Sequence, residues 1–460
     1  MKEFLKRAVF RCCKLLHFAA MVALFAAYYL YFVYDAGQVG KELLRHGTMI
    51  IIYAIIALFA LRSYSSYNVG LARIRMLVYS QSLAAVLTAG IMYVLMVING
   101  LKLLNPLPVL ALVGAQFVLN VLWSLLVNGL YFRMFKPRKT VMVYQGAENL
   151  KYMEELKSHT RKFSVVKIIE NPTEDLPGLI EQVGDAEAVF VAGISETLRN
   201  GLLKHCVDSG VRCYVAPHVG DVLMLGSTHM ELFSVPVCRV MRAIPNVEYS
   251  FIKRTIDIVA SLVGIILCSP FMLITALAIK LGDGGPVLYK QVRLTKDGKH
   301  FKILKFRSMR VDAERDGVAR LASENDNRIT PVGKIIRACR LDELPQLFNI
   351  LAGDMTIVGP RPERPEIARQ YEEFLPAFGL RLQVKAGLTG LAQVYGKYNS
   401  DPYDKLRMDL MYINRMSLLE DIKLMFATVK VLFMKESTSG VAEGQTTASA
   451  KTEEKEYALK

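Results

Sequence analysis

The sequence predicts an α-helical membrane bundle joined to α/β structure. Four transmembrane helices come first, then a small α/β domain, then a membrane-associated α/β domain with a proline-broken helix. Three observations predict this. Four apolar segments occupy the stretch from Leu15 to Tyr131, strand and helix patterns alternate from Thr140 to His218, and a further apolar run, Ile256 to Leu281, contains Ser269-Pro270. A chain of 460 residues has room for roughly two or three domains. A 52% hydrophobic content and a mean hydropathy of +0.28 point to an integral membrane protein. The formal net charge of +15 favours anionic partners: lipid headgroups, phosphates or nucleotides.

The apolar segments run from Leu15 to Tyr34, Thr48 to Leu61, Tyr79 to Ile98 and Leu103 to Tyr131. Each approaches the about 20 residues that cross a hydrocarbon core of about 30 Å, the second being short at its apolar centre. Basic residues settle the orientation. Lys2, Lys6, Arg7, Arg11 and Lys14 precede the first segment, Arg62, Arg73 and Arg75 separate the second from the third, and Arg133, Lys136, Arg138 and Lys139 follow the fourth. The other two loops are nearly neutral, with Asp35, Lys41, Glu42 and Arg45 in one and Lys102 in the other. The positive-inside rule therefore puts both ends of region 1–135 in the cytoplasm. The first apolar stretch is too long for a cleavable signal peptide and lacks a small-residue cleavage site. The seven cysteines form no CxxC pair and have no histidine at zinc spacing, a pattern of reduced thiols and not of a disulfide or metal framework.

Residues 139–245 read as a second domain. TVMVY, SVVKII, AEAVFVAG and VRCYVAP have strand character, while Glu148 to His159 and Glu196 to Asp208 have helical character. That alternation predicts a parallel sheet. The domain is Rossmann-like but degenerate: its first strand-to-helix turn is Tyr-Gln-Gly-Ala-Glu-Asn (144 to 149) instead of GxGxxG. It has one glycine, and an acid where a pyrophosphate would sit. A structural or regulatory role fits it better than nucleotide binding.

As one straight helix, residues 256–281 would be about 39 Å long, enough to span. Pro270 opposes this, because proline removes a backbone donor and kinks a helix. A crossing would also export a strongly basic segment, since eight Lys/Arg lie between Lys290 and Arg310 against the single acid Asp297. A re-entrant helix, broken at Ser269 and Pro270, keeps both ends cytoplasmic. The third domain, 251–435, continues with a hairpin turning at Asp297-Gly298 and with amphipathic helices over Leu406 to Asn414 and Asp421 to Phe433. The polar tail 436–460 reads as disordered.

Chemistry concentrates in "LDELPQLFNILAGDMTIVGPRPE", residues 341 to 363. Asp342 and Glu343 precede Pro345, so taken alone they read first as a helix cap. The alternative uses their neighbours. Lys290, Arg293, Lys302, Lys305 and Arg307 of the hairpin, with Arg337, Arg340 and Arg361, would surround the pair with cations suited to membrane lipid or to phosphate. There an ionised carboxylate could attack phosphorus and form an acyl-phosphate, while its neighbour holds a Mg²⁺. Adjacent helical residues point about 100° apart, which suits one nucleophile and one metal ligand better than a shared-proton pair. His205, His218 and His229 lack matched carboxylates and read as structural. Gly387, Thr389 and Gly390 form a tight turn with a backbone role. Tyr403, Asp409 and Tyr412 are candidates for an acceptor cleft, which spacing alone leaves open.

"KFRSM" (305 to 309), the 341 to 363 stretch and "KAGLTGLAQVYG" (385 to 396) resemble the bacterial sugar transferases, the monotopic polyprenyl-phosphate phosphoglycosyl transferases. The likeness covers Phe251 to Phe433. The amino-terminal spans and degenerate middle domain resemble the large members that initiate exopolysaccharide, capsule or O-antigen synthesis. The resemblance implies transfer of a sugar-1-phosphate from a UDP-sugar to undecaprenyl phosphate, with release of UMP. It makes Asp342 the covalent nucleophile and Glu343 the Mg²⁺ ligand. Arg361 and the basic residues of KFRSM look like nucleotide and phosphate contacts. In the family the helix broken at Ser-Pro is re-entrant. Ala338, often basic in relatives, and Cys339, where a small hydroxylic or aromatic residue is common, depart from the pattern next to the dyad.

The expectation is therefore a Mg²⁺-dependent enzyme of the inner membrane, multi-pass, with its catalytic domain on the cytoplasmic face. Its partners would be UDP-sugar, undecaprenyl phosphate and membrane lipid, with no nucleic acid; a homodimer is allowed, and the sugar and polymer stay open. The rival reading is a non-catalytic membrane scaffold or sensor that binds nucleotide and anionic lipid. A membrane nucleotide-sugar dehydratase is disfavoured, because no GxxGxxG fingerprint follows residue 140.

Overall fold

The structure is a computed structural model that describes residues 2–33, 43–100, 104–146, 149–311, 313, 326–396 and 401–432. The chain forms two compact units, Met1–Pro217 and His218–Lys460. The tail 436–460, the loop residues Asp35, Lys41, Glu42 and Lys102, and the turn residues Ala147 and Glu148 lie outside the described residues.

The first unit opens with four helices where four apolar segments were expected. These are α1 (Lys2–Tyr28, extended by a wider turn over Tyr29–Val33), α2 (Leu43–Ser63), α3 (Ile74–Gly100) and α4 (Leu107–Met134). Helices α1, α3 and α4 are long and apolar enough to cross a membrane, whereas the apolar run of α2, Gly47–Ser63, is shorter. Apolar contact alone does not specify a bundle in lipid, where hydrogen bonds and close packing take over. Here α4 turns Gln116, Asn120, Ser124 and Asn128, each four residues apart, into the interior. His17 of α1 bridges Asn120 Oδ1 and the Tyr67 hydroxyl at 3.0 Å each, and Gln116 Nε2 donates to the Tyr53 hydroxyl at 2.7 Å.

The parallel sheet follows in the order β2-β1-β3-β4, from β1 (Arg138–Tyr144), β2 (Phe163–Glu170), β3 (Ala188–Ala192) and β4 (Arg212–Val215). The intervening helices are α5 (Leu150–Ser158), α6 (Leu176–Val183) and α7 (Glu196–Asp208). The sequence reading passed over α6. Its Pro177 and Gly178 resemble a turn, yet Pro is at home in a first helical turn.

The second unit begins earlier than the expected domain edge near 245. Helix α8 (Val219–Leu225) buries Val222 in the carboxy-terminal core, and Asn414 Nδ2 donates to the Val222 carbonyl at 2.6 Å. The hairpin β5 (Thr228–Leu232) and β6 (Val235–Arg239) leads into α9, Val247–Asp283. Here the structure corrects an expectation: α9 continues through Ser269 and Pro270 instead of breaking there. Pro270 cannot donate to the Ile266 carbonyl, and the Ser269 hydroxyl takes that acceptor instead at 2.8 Å, so the helix closes over its proline. With it, the described residues contain four helices long enough to span.

After α9 come β7 (Leu288–Leu294) and β8 (His300–Phe306), antiparallel as expected, with Asp297 and Gly298 both at positive φ in the turn. The remaining elements are α10 (Pro331–Ala338), α11 (Gln346–Ala352), β9 (Thr356–Val358), α12 (Pro365–Phe374), β10 (Gly387–Thr389), α13 (Leu391–Tyr395), α14 (Pro402–Ile413) and α15 (Leu418–Leu432). Their core gathers Ile303, Ile350, Met355, Tyr371, Leu410 and Leu424. The base of α9 is bolted to this core. Asp257 accepts from Thr356 Oγ1 (2.7 Å) and the Ile357 amide (3.0 Å), and Arg254 donates to the Ile350 and Leu351 carbonyls at the end of α11. Beyond that base, Ile266, Leu267, Phe271, Leu273 and Ile274 are exposed, an apolar surface that suits lipid.

Asp421 completes the anchor by accepting from Tyr249, Lys253 and Tyr412 at 2.7–2.8 Å. Asp421→Ala takes the carboxylate from the half-buried Lys253 ammonium and the Tyr249 hydroxyl, while Tyr412 keeps the Val358 carbonyl at 3.0 Å, so it is expected to destabilise this unit by about 3 kcal/mol. Tyr412→Phe, which removes one hydroxyl, costs roughly 1 kcal/mol. Thermal unfolding of the detergent-solubilised protein checks the order. An Asp421→Ala protein as stable as the parent would remove the anchoring role.

Candidate active site

Three stretches far apart in sequence converge in the second unit. The first is the β7–β8 hairpin. Its register pairs Tyr289 with Lys305, Gln291 with Ile303 and Arg293 with Phe301, so Arg293 and Lys305 share one face. Lys290 and Lys302 fall on the other face and are exposed.

The second is the junction between α10 and α11. Arg340 sits at φ +56, a left-handed conformation that costs a non-glycine residue about 1–3 kcal/mol, and it turns the chain into a tight 3₁₀ turn over Leu341–Glu343. That turn presents Asp342 and Glu343 side by side. The cap reading is not realised: Pro345 occupies the position ahead of α11, and no side chain there bonds a helix amide.

The third is the Gly-Pro-Arg-Pro run after β9, locked to the glycine turn at β10. Gly359 N donates to the Thr389 carbonyl, and Gly387 N donates to the Pro360 carbonyl, both at 2.8 Å. A Cβ at Gly387 would lie 2.1 Å from the Gly359 nitrogen, so only glycine permits this approach.

The electrostatics follow from the convergence. Three cations face one oxygen, Glu343 Oε1: Lys305 Nζ at 3.2 Å, Arg361 Nη2 at 3.3 Å and Arg340 Nη1 at 3.9 Å. Burial opposes ionisation of Glu343, but these cations outweigh it and hold the carboxyl well below the usual carboxylate range. Asp342 is shifted the other way. Burial and the Glu343 charge raise its pKa, while Lys305, Arg337 and Arg340 pull it down less strongly. Its Oδ1 is buried with no hydrogen-bond partner. Burial also lowers the pKa of Lys305 and brings that of Arg293 down to about 10. A bound anion would stabilise both charged forms.

A recess lined by Arg293, Lys305, Glu343, Gln346, Arg361 and Gln393 opens beside the dyad. Of the expected residues, Arg293, Lys305, Glu343 and Arg361 line it together. Asp342 lies on the same turn as Glu343, and Arg337 acts on Asp342 through its charge. Arg307 stands apart, paired through two nitrogens with Asp283 at the end of α9. Ser269 and Pro270 lie within α9. The acceptor-cleft candidates take structural positions instead. Asp409 forms a buried 2.7 Å pair with Arg381, Tyr412 bonds Asp421, and the Tyr403 hydroxyl accepts from the Val219 amide.

Sequence reasoning missed Gln346, Gln393 and Arg381. Arg381 donates to the Arg361 carbonyl at 2.9 Å and so steadies the arginine that reaches Glu343. No local signal could have found it, because its partner Asp409 is brought in by a distant helix.

No group of three or more His, Cys, Asp or Glu able to hold a metal occurs among the described residues. The fit for Mg²⁺ therefore rests on the dyad. Mg²⁺ takes one or two carboxylates and completes its shell with substrate phosphates, so the adjacent pair supplies the donor type; Asp342 Oδ1 is unpartnered, while Glu343 Oε1 already faces three cations.

Residues 248–435, which contain this whole arrangement, match the family described as bacterial sugar transferase. Over 192 residues the chain is 43% identical to a UDP-N-acetylgalactosamine-undecaprenyl-phosphate N-acetylgalactosaminephosphotransferase of Aeromonas hydrophila, covering 41% of this chain and 45% of that one. A UDP-glucose:undecaprenyl-phosphate glucose-1-phosphate transferase of Klebsiella pneumoniae is 38% identical over 247 residues, 53% of each chain. The chain thus spans about half the length of these two curated relatives. A shorter relative, the exopolysaccharide production protein PSS of Rhizobium leguminosarum bv. phaseoli, is 42% identical over 187 residues, 39% of this chain and 93% of that one. A relative matched over nearly its whole length, together with the family match over residues 248–435 that build the dyad, the basic hairpin and the Gly-Pro-Arg-Pro turn, decides the affiliation: the chain belongs to the bacterial sugar transferase family.

Proposed function

We propose that the protein is an initiating phosphoglycosyl transferase that moves a sugar-1-phosphate from a UDP-sugar to undecaprenyl phosphate and releases UMP. The observation that carries this reading is Asp342 Oδ1, a buried carboxylate oxygen without a partner, on the same turn as Glu343, which lines a cationic recess. The names of the relatives support the substrate classes. Family membership does not favour the scaffold or sensor alternative.

In the first step a carboxylate oxygen of Asp342 attacks the β-phosphorus of the UDP-sugar. The bond from that phosphorus to the bridging oxygen breaks, its electron pair leaves on UMP, and an aspartyl-phosphosugar remains. In the second step the phosphate oxygen of the lipid attacks the same phosphorus and frees the Asp342 carboxylate, giving a polyprenyl-diphospho-sugar. Arg293, Lys305 and Arg361 hold the phosphates and neutralise charge that develops on the leaving group. Glu343 would hold Mg²⁺, which supplies further neutralisation of the diphosphate when bound. The catalytic unit works on the cytoplasmic face of the inner membrane, where the exposed apolar turns of α9 would hold the site against the lipid.

Replacing the nucleophile tests the reading. Asp342→Asn is expected to lower UMP release by at least about a thousandfold and to yield no phosphosugar adduct, measured with Mg²⁺, undecaprenyl phosphate and a panel of UDP-sugars. Near-parental turnover by the Asn protein would remove the covalent mechanism.

The pH dependence has a definite sign. Only ionised Asp342 attacks, and its pKa is raised, so kcat/KM falls with decreasing pH at a higher pH than an exposed aspartate would give. Lys305 pulls that pKa down, so Lys305→Met should move the acid limb to still higher pH. Because the carboxylates interact, the measured value belongs to the dyad. An acid limb that stays in place in Lys305→Met would contradict the electrostatic assignment.

A further inference from the structure

Among the residues lining the recess, Gln393 is uncharged, like Gln346, and presents a bare acceptor oxygen where phosphate calls for donors. It lies on α13, directly after the Gly-Leu-Thr-Gly turn, and its Nε2 donates to the Leu388 carbonyl at 3.0 Å. That bond sets the amide orientation, since the flipped amide would bring two oxygens face to face. Oε1 is left on the other side, buried and with no hydrogen-bond partner. Its place is rigid. The Gln393 amide is held by the Gly390 carbonyl at 3.0 Å, and a Cβ on Gly390 would lie 2.2 Å from the Gly359 oxygen.

A buried acceptor without a donor is costly and unusual. Arg293, Lys305 and Arg361 are donors suited to phosphate, and Glu343 already faces three cations. Ionised phosphate oxygens carry no proton to give, so they repel Gln393 Oε1 instead of satisfying it. The group that completes this acceptor must bring an N–H or O–H, and on a nucleotide-sugar such donors are the uracil imide, the ribose hydroxyls and the hydroxyls or acetamido N–H of the transferred sugar.

We infer that Gln393 is a specificity-determining residue whose Oε1 accepts a hydrogen bond from an N–H or O–H of the neutral part of the nucleotide-sugar. The inference rests on the proposed UDP-sugar reading. It divides the recess by chemistry: cations take the diphosphate, and Gln393 tests whether a matching donor arrives with it. A ligand lacking that donor leaves the oxygen buried and unpaired, the arrangement that discriminates most strongly.

The experiment compares the full-length protein with Gln393→Met, similar in volume but without the acceptor. Dissociation constants are measured for UDP, N3-methyl-UDP, UDP-glucose and UDP-N-acetylgalactosamine. Binding of at least one UDP-sugar is expected to weaken about tenfold in the variant. If the donor is on the nucleoside, UDP alone weakens equally; N3-methylation then costs the parent protein a similar factor and leaves the variant indifferent when the donor is the uracil imide, and costs neither protein anything when it is a ribose hydroxyl. If the donor is on the sugar, UDP binds both proteins alike and only the UDP-sugars weaken. The methylated ligand and the sugar series on the parent protein read the same contact without relying on the variant's fold. A folded variant that binds all four ligands with parental constants would overturn the inference. A folded parent protein that binds none of them would overturn the UDP-sugar reading itself, a distinct result.

Discussion

Two neighbouring carboxylates withdrawn from water repel each other, and the site depends on cations arriving from elsewhere to hold them. Lys305, Arg361 and Arg340 converge on a single oxygen of Glu343, and they come from a hairpin strand, a turn after β9 and the left-handed residue before the dyad. With Glu343 kept ionised, its charge adds to burial in raising the pKa of Asp342. One carboxylate becomes a fixed negative charge and the other an unpartnered acceptor. The division of roles within an Asp-Glu pair is thus a product of asymmetric surroundings and not of the residues themselves.

Holding several cations together has its own cost, and the fold meets it with buried anchors. Arg381 pairs with Asp409 in the interior and reaches the backbone of Arg361, while Arg293 bonds the Pro362 carbonyl and lies 3.5 Å from Glu363. The glycines at 359, 387 and 390 let the two turns touch backbone to backbone, which ties Gln393 to the same frame as Arg361. Rigid placement of this kind is what lets dipoles and charges act on a reacting phosphate without reorganising.

Helix α9 connects that frame to an apolar surface. Its base carries Lys253, Arg254 and Asp257, each bonded into the core, and its further turns expose large apolar side chains. Polar anchoring at one end and apolar exposure beyond it are two parts of one helix. The serine ahead of Pro270 answers the missing amide, so the helix carries its proline without ending there.

The sequence by itself determined what is local. Runs of apolar residues, the alternation of strands and helices between residues 138 and 215, the Asp-Gly turn of the hairpin and the Asp-Glu pair were all legible, because periodicity, turn chemistry and charge act over a few residues. Only the tertiary structure decided which members of a basic cluster share a recess. Strand register separates Arg293 and Lys305 from Lys290 and Lys302, and a distant Asp283 takes Arg307 out of the group. The local pattern likewise gave no warning that the unit boundary falls at Pro217, that Asp409 and Tyr412 belong to the core, or that Gln393 presents an unpaired oxygen. These features depend on contacts between residues tens to hundreds of positions apart, and no local pattern encodes which buried partner a side chain will meet.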